Sequence, residues 1–216
     1  LNLIKMKYQC KCIRPNLFNR NYGYWEDRNI TSDETTIFKS LLNKKISQKQ
    51  ILHIGIGNSQ IAKEFSLKNT IYGVSISQKE IIYAKTLSIE NYHLFLSDKY
   101  SLDFKNLFPN VKFDYIIDTN LKSYSCCNES FYLFMDTLFY NLKPNGFILT
   151  SRSGMNWFKK LKPKLSFNLK KFFHYKLKEI EGDPNNKLTI DELKILSDKY
   201  NIELSINDKM CYLKKK

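Results

Sequence analysis

No stretch of the 216-residue chain stays apolar for the roughly 18 to 20 residues that a bilayer-spanning helix needs. The opening LNLIKMKYQCKCIRP lacks the uninterrupted apolar core of a secretory signal, so a soluble, cytoplasmic protein is the expectation. Cysteine occurs in five scattered copies (Cys10, Cys12, Cys126, Cys127, Cys211), an odd number that argues against a disulfide framework. Histidine is scarcer, at three residues, and neither Cys-x2-Cys nor paired Cys/His spacing occurs, so no metal site is expected. Acid is also short: 21 Asp and Glu face 35 Lys and Arg, for a formal net charge of +14. That imbalance attracts polyanions. Much of it is local, with nine basic residues and no acid between Ser151 and Lys178. The remainder follows a general richness in Lys, Asn and Ile.

What is present suffices for a core. The chain is 43% hydrophobic and 14% aromatic, and its length suits one full-sized domain with an arm or insertion. Residues 1–30 show no periodicity and read as an arm carrying Tyr22, Tyr24 and Trp25. Thr31-x-x-Glu34 is a capping box ahead of the helical stripe Ile37, Phe38, Leu41, Leu42. Apolar runs then alternate with helical patterns: strands at 51–55, 70–75, 92–96 and 113–118, helices at 59–67, 78–87, 101–107 and 129–142. Lys143-Pro-Asn-Gly146 reads as a turn into a fifth strand, 147–151. Such alternation calls for parallel pairing through right-handed crossovers. A basic, aromatic insertion follows at about 155–185, and Thr189-x-x-Glu192 is a second capping box. Alternation at 202–206, the turn Asn207-Asp208 and a return at 209–213 form an antiparallel hairpin. The expected fold is α/β: a Rossmann-like, seven-stranded, mostly parallel sheet, helices on both faces, with an antiparallel C-terminal hairpin. Residues 31–216 form a single domain in this reading.

Ligands of open α/β sheets bind at the carboxyl ends of the strands. There the chain carries Gly55-Ile56-Gly57-Asn58-Ser59, then Ser75-Ile76-Ser77, then Ser97-Asp98, then Asp118-Thr119-Asn120. The glycines allow a tight turn and close approach of backbone amides to a ligand. A dinucleotide fingerprint would need a further glycine at position 60 and an acid about 20 residues on. Gln60 and Ser75 stand in those places, which disfavours a nicotinamide dehydrogenase. Each polar strand end, taken alone, also serves as a helix cap or solvated turn, as Ser77 does naturally.

Taken in order, ILHIGIGNS, IYGVSISQKEIIYAK, LFLSDKYS, FDYIIDTNL and NLKPNGFILTSRSG resemble the class I S-adenosylmethionine-dependent methyltransferases over residues 51–152. YWEDR followed by GIGNS is similar to a subgroup with a Gly-x-Gly-Asn-Ser loop, some of whose members methylate protein lysines. The resemblance implies S-adenosylmethionine as cofactor. Gly55, Ile56 and Gly57, with Asn58 beside them, would run along its methionine part, and Ser75 and Ile76 would meet ribose and adenine. Asp98, with Lys99 next to it, would face the adenine amino group. Asp118 and Thr119 would lie near the cofactor's amino group and the reacting methyl. Tyr24, Trp25 and Arg28 would belong to a lid.

Two departures from that pattern stand out. The family carries an acid where His53 sits and another where Ser75 sits. A carboxylate accepts two charge-assisted hydrogen bonds, whereas a serine offers a neutral contact, so Glu80 or the arm would have to compensate. Without compensation the chain would be a non-catalytic binding protein.

Methyl transfer is an in-line displacement that needs alignment and, for a hydroxyl or ammonium nucleophile, proton removal. No Asn/Asp-Pro-Pro-Tyr segment follows the fourth strand. Asp118 and Tyr124 are the nearest candidate catalytic groups, with His174 in the insertion as a third. The insertion suits an anionic small substrate, RNA or an anionic surface through 152–178, or a cover packed on the sheet. The leading expectation is O- or N-methylation of a small molecule; the alternatives are a protein-lysine or RNA substrate.

Overall fold

The computed structural model describes residues 30–151, 188–207 and 210–216. The arm and the insertion lie outside these residues. The first helix, α1 (Ser32–Asn43), starts where its capping box predicts: the Thr31 hydroxyl accepts from the Glu34 amide at 3.1 Å, and the Thr31 amide donates to Glu34 Oε2 at 3.1 Å. Ile37 and Leu41 bury the inner face one turn apart, while Leu42 turns to solvent. The chain then alternates through β1 (Gln50–Ile54), α2 (Gln60–Phe65), β2 (Thr70–Ser75), α3 (Gln78–Thr86) and β3 (Tyr92–Leu96). A 3-10 turn (Leu102–Asn106) leads to β4 (Phe113–Ile117), α4 (Asn128–Asn141) and β5 (Leu142–Ser151). After the insertion come α5 (Ile190–Tyr200), β6 (Ile202–Ile206) and β7 (Met210–Lys215).

The seven strands form one sheet in the order β3-β2-β1-β4-β5-β7-β6. The first five are parallel; β7 runs antiparallel to both β5 and β6, as the hairpin reading expects. Strand order reverses between β1 and β4, which opens the crevice where ligands of such sheets bind. Both sheet faces are covered. Leu52, Ile54, Ile116 and Ile148 pack with α4 and α5, whereas Ile51, Ile71, Ile117 and Leu149 pack with α1 and α2. Alternate residues of each strand serve opposite layers, as the period of two requires.

One expectation is corrected. Lys143–Gly146 is no separate turn. The strand begins at Leu142, opposite Phe113, and resumes pairing at Phe147 opposite Tyr115. A step of two residues on β4 is thus matched by five on β5, and Asn145 takes a positive φ of 61° within the bulge. The helix at 59–67 is also shorter, Gln60–Phe65: it starts one residue later because Ser59 is left-handed (φ 61°) and makes no side-chain cap, and it ends at Phe65 with Ser66 as its C-cap.

Candidate functional site at the carboxyl ends of the strands

The four central strand ends lie level. The Gly55 amide donates to Val74 O at 2.8 Å, Ser97 to Ser75 O at 2.9 Å, and Asp118 to Leu149 O at 3.1 Å. This register brings Gly55–Asn58, Ser75, Ile76, Asp98, Asp118 and Thr119 to one end of the sheet. Ser59, Ser75, Glu80, Ser97, Asp98 and Asp118 are all buried there, a concentration of polar groups that a core does not need.

The loop after β1 turns on three left-handed residues: Gly55 (φ 77°), Gly57 (φ 51°) and Ser59. Gly55 is exposed, and a Cβ built on it would meet nothing within 4 Å among the described residues. Among the described residues, its backbone is therefore uncovered at this end of the sheet. Beneath the loop, Ile56 is fully buried, and Ser59 Oγ lies 3.1 Å from the Tyr92 hydroxyl. Gly73, on β2, makes room for this floor. A Cβ there would fall 2.6 Å from Tyr92 Cε2 and 2.9 Å from Ile56 Cγ2. Gly73→Ala is therefore expected to cost about 1–3 kcal/mol through overpacking, measured by chemical denaturation.

Two carboxylates flank the loop. Glu80, on α3, accepts the Ser75 hydroxyl proton at 2.7 Å and a backbone hydrogen bond from Gly57. Ser75 Oγ in turn accepts from the Ser77 amide at 2.9 Å. Glu34, on α1, places Oε1 3.8 Å from where a Gly57 Cβ would stand. Burial pushes Glu80 up to about 7, with the Glu34 charge adding to the rise and the Ser75 and Gly57 hydrogen bonds opposing it. Burial likewise raises Glu34.

His53 is 1% exposed, one residue before the end of β1 and on the α1/α2 side of the sheet. Burial pushes it down to about 4, so it is a neutral imidazole, and its Nδ1 has no hydrogen-bond partner among the described residues.

After β3, Asp98 Oδ1 accepts the Tyr100 amide at 3.0 Å. Lys99 turns the other way. Its ammonium lies 2.7 Å from Asp118 Oδ2, 2.7 Å from Asn120 O and 3.3 Å from Leu121 O. Asp118 Oδ1 meanwhile accepts the Asn120 amide at 2.9 Å. Tyr124, farther along this loop, is left-handed at φ 64°, a conformation unusual for an aromatic residue and typical of strained functional segments. Tyr24, Trp25, Arg28 and His174 lie outside the described residues.

Glu34 and Tyr92 were not anticipated at the loop. The sequence marks Glu34 only as a helix cap and Tyr92 only as a strand aromatic. Among the described residues, no group of three or more His, Cys, Asp and Glu side chains is placed to hold a metal, and no helix is long and apolar enough to cross a membrane.

No protein-family model matches the chain, and no curated protein is significantly similar to it in sequence. Its fold, in contrast, is that of the class I methyltransferases. It superposes on the N-methyltransferase NodS of Bradyrhizobium japonicum WM9, solved with S-adenosylhomocysteine, with a TM-score of 0.60 and 11% identity over 92% of this chain and 94% of that one. Magnesium protoporphyrin IX methyltransferase (ChlM) of Synechocystis PCC 6803 matches with a TM-score of 0.56 and 10% identity over 86% and 82% of the two chains. An S-adenosylmethionine-dependent methyltransferase of Methanosarcina mazei gives 0.53 and 17% identity over 82% and 96%.

Proposed function

We propose that the chain is an S-adenosylmethionine-dependent methyltransferase acting on a small molecule at oxygen or nitrogen. The observation that carries this reading is the Gly55–Ser59 turn: three left-handed residues, an exposed Gly55 whose Cβ position meets nothing within 4 Å among the described residues, level with the buried polar ends of β2, β3 and β4. Neighbours of the same fold were crystallised with S-adenosylmethionine or S-adenosylhomocysteine, and ChlM, a magnesium protoporphyrin IX methyltransferase, supports the small-molecule class.

The residues present fit this cofactor. Gly55, Ile56 and Gly57 hold its methionine part by backbone contact, with Asn58 at the turn. Ser75 and Ile76 would meet the ribose and adenine, and Asp98, anchored by the Tyr100 amide, would take the adenine amino group. Bound, the cofactor supplies an electrophilic methyl on a sulfonium. The chain aligns a nucleophile with that methyl and excludes water. Asp118, fixed by Lys99 and the Asn120 amide, orients groups at this end together with Thr119. Tyr124, on the same loop, is the phenol we assign to directing a substrate hydroxyl or amine. The test is calorimetric titration of the intact chain with S-adenosylmethionine and S-adenosylhomocysteine. Saturable binding of both at micromolar ligand is expected; no heat at millimolar ligand would sink the proposal.

A further inference from the structure

A nucleoside ligand at this site presents its ribose hydroxyls to the end of β2, where charged acceptors hold them best. Ser75 stands there with a neutral hydroxyl. A hydroxyl has one proton and two lone pairs, and the geometry assigns two of the three. The proton goes to Glu80 Oε2 at 2.7 Å, and one lone pair takes the Ser77 amide at 2.9 Å. What remains is an acceptor.

We infer that Glu80 acts through Ser75 as the positioning residue for the ligand ribose: by taking the serine proton it fixes Ser75 as an acceptor and delivers, from α3, the negative charge that β2 itself does not carry. This rests on the proposal that the site binds S-adenosylmethionine. The same carboxylate receives the Gly57 amide, so one buried side chain couples the glycine turn to the ribose position. Glu80 is 6% exposed, which keeps water from screening its effect on the serine. Its other titratable neighbours are Glu34 from α1 and Tyr92 from β3.

The test is a ligand cycle at pH 8, read by calorimetry, with two probes: S-adenosylhomocysteine and its 2′,3′-dideoxyribose analogue. Glu80→Gln is expected to weaken S-adenosylhomocysteine about tenfold, the difference between a charge-assisted and a neutral hydrogen bond. It should leave the dideoxy analogue within about twofold, because that ligand has no hydroxyl to offer Ser75. Moving the charge onto the strand, in S75D/E80Q, should restore affinity for S-adenosylhomocysteine alone. Equal weakening of both probes by Glu80→Gln would show a purely structural role and overturn the inference, as would no weakening of either. Failure of the unaltered chain to bind S-adenosylhomocysteine would instead overturn the cofactor reading, and this inference with it.

Discussion

Replacing Lys99 by methionine is expected to lower the unfolding free energy by about 3–5 kcal/mol, the cost of removing one partner from a buried ion pair. The Asp118 side chain is 3% exposed and that of Lys99 12%. The ammonium has three oxygen acceptors within 3.3 Å: Asp118 Oδ2, Asn120 O and Leu121 O. Methionine keeps the length of the side chain and its contact with the rings of Tyr100 and Phe134, which lie 5.2 and 5.3 Å from the ammonium. What it loses is electrostatic. A carboxylate is left in the interior with the Asn120 amide, and two carbonyls each lose one donor, Asn120 O keeping the Ser123 amide and Leu121 O the Tyr100 hydroxyl.

Lys99→Met/Asp118→Asn separates this from ordinary packing loss. With the acid neutralised, no buried charge is stranded, so the double variant should be more stable than the sum of the single losses by at least about 1 kcal/mol. Urea denaturation of the four proteins measures the cycle. Lys99→Met within about 0.5 kcal/mol of the unaltered chain would show that solvent replaces the pair.

Lys99 also shows how far sequence reaches. It sits beside Asp98 in the chain, and the resemblance groups the two at the adenine. Its ammonium lies instead on Asp118, 19 positions later, a partner supplied only when the fold brings the loops after β3 and β4 together across the sheet end. Legibility was greatest where signals are local. The spans of β2 and β3 follow from apolar runs bounded by polar residues, and both capping boxes start their helices as written. It failed where a local signal has two meanings. Pro-Asn-Gly at 144–146 signals a turn in any context, yet here it bends β5 without ending it. Ser59 has the chemistry of a helix cap, but its hydroxyl finds Tyr92, 33 residues on, while its backbone turns left-handed. Glu80 was legible as a possible substitute for the acid missing at Ser75, and the structure puts its carboxylate on that serine.

The other departure, His53, is best tested through pH. Its imidazole is held neutral at about 4 against an ordinary 6.5. Stability is therefore fully present above pH 6.5 and is lost as pH falls toward 4, where the unfolded chain binds a proton that the folded chain refuses. Glu80 works in the opposite sense. Its carboxyl titrates near 7 rather than 4.5, so stability is fully present below pH 4.5 and declines as pH rises through 7. Each shift corresponds to about 3 kcal/mol at most. Between pH 4.5 and 6.5 the two slopes oppose each other, so the unaltered chain should show little net pH dependence from the pair although the two penalties add. Single variants uncover the hidden terms. His53→Leu removes the slope on the acid side and also removes an Nδ1 that has no partner among the described residues. Its stability relative to the parent should rise by up to about 3 kcal/mol between pH 7.5 and pH 4. Glu80→Gln should instead gain relative to the parent as pH rises from 4.5 to 8, by a similar amount. Because the general effect of the chain's +14 charge is shared by all three proteins, differences between their denaturation midpoints isolate the two groups. A His53→Leu difference that stays constant from pH 7.5 to 4 would mean that the imidazole charges freely in the folded state. His53 would then be a solvated group at the strand end, and not the dry residue that its 1% exposure makes it.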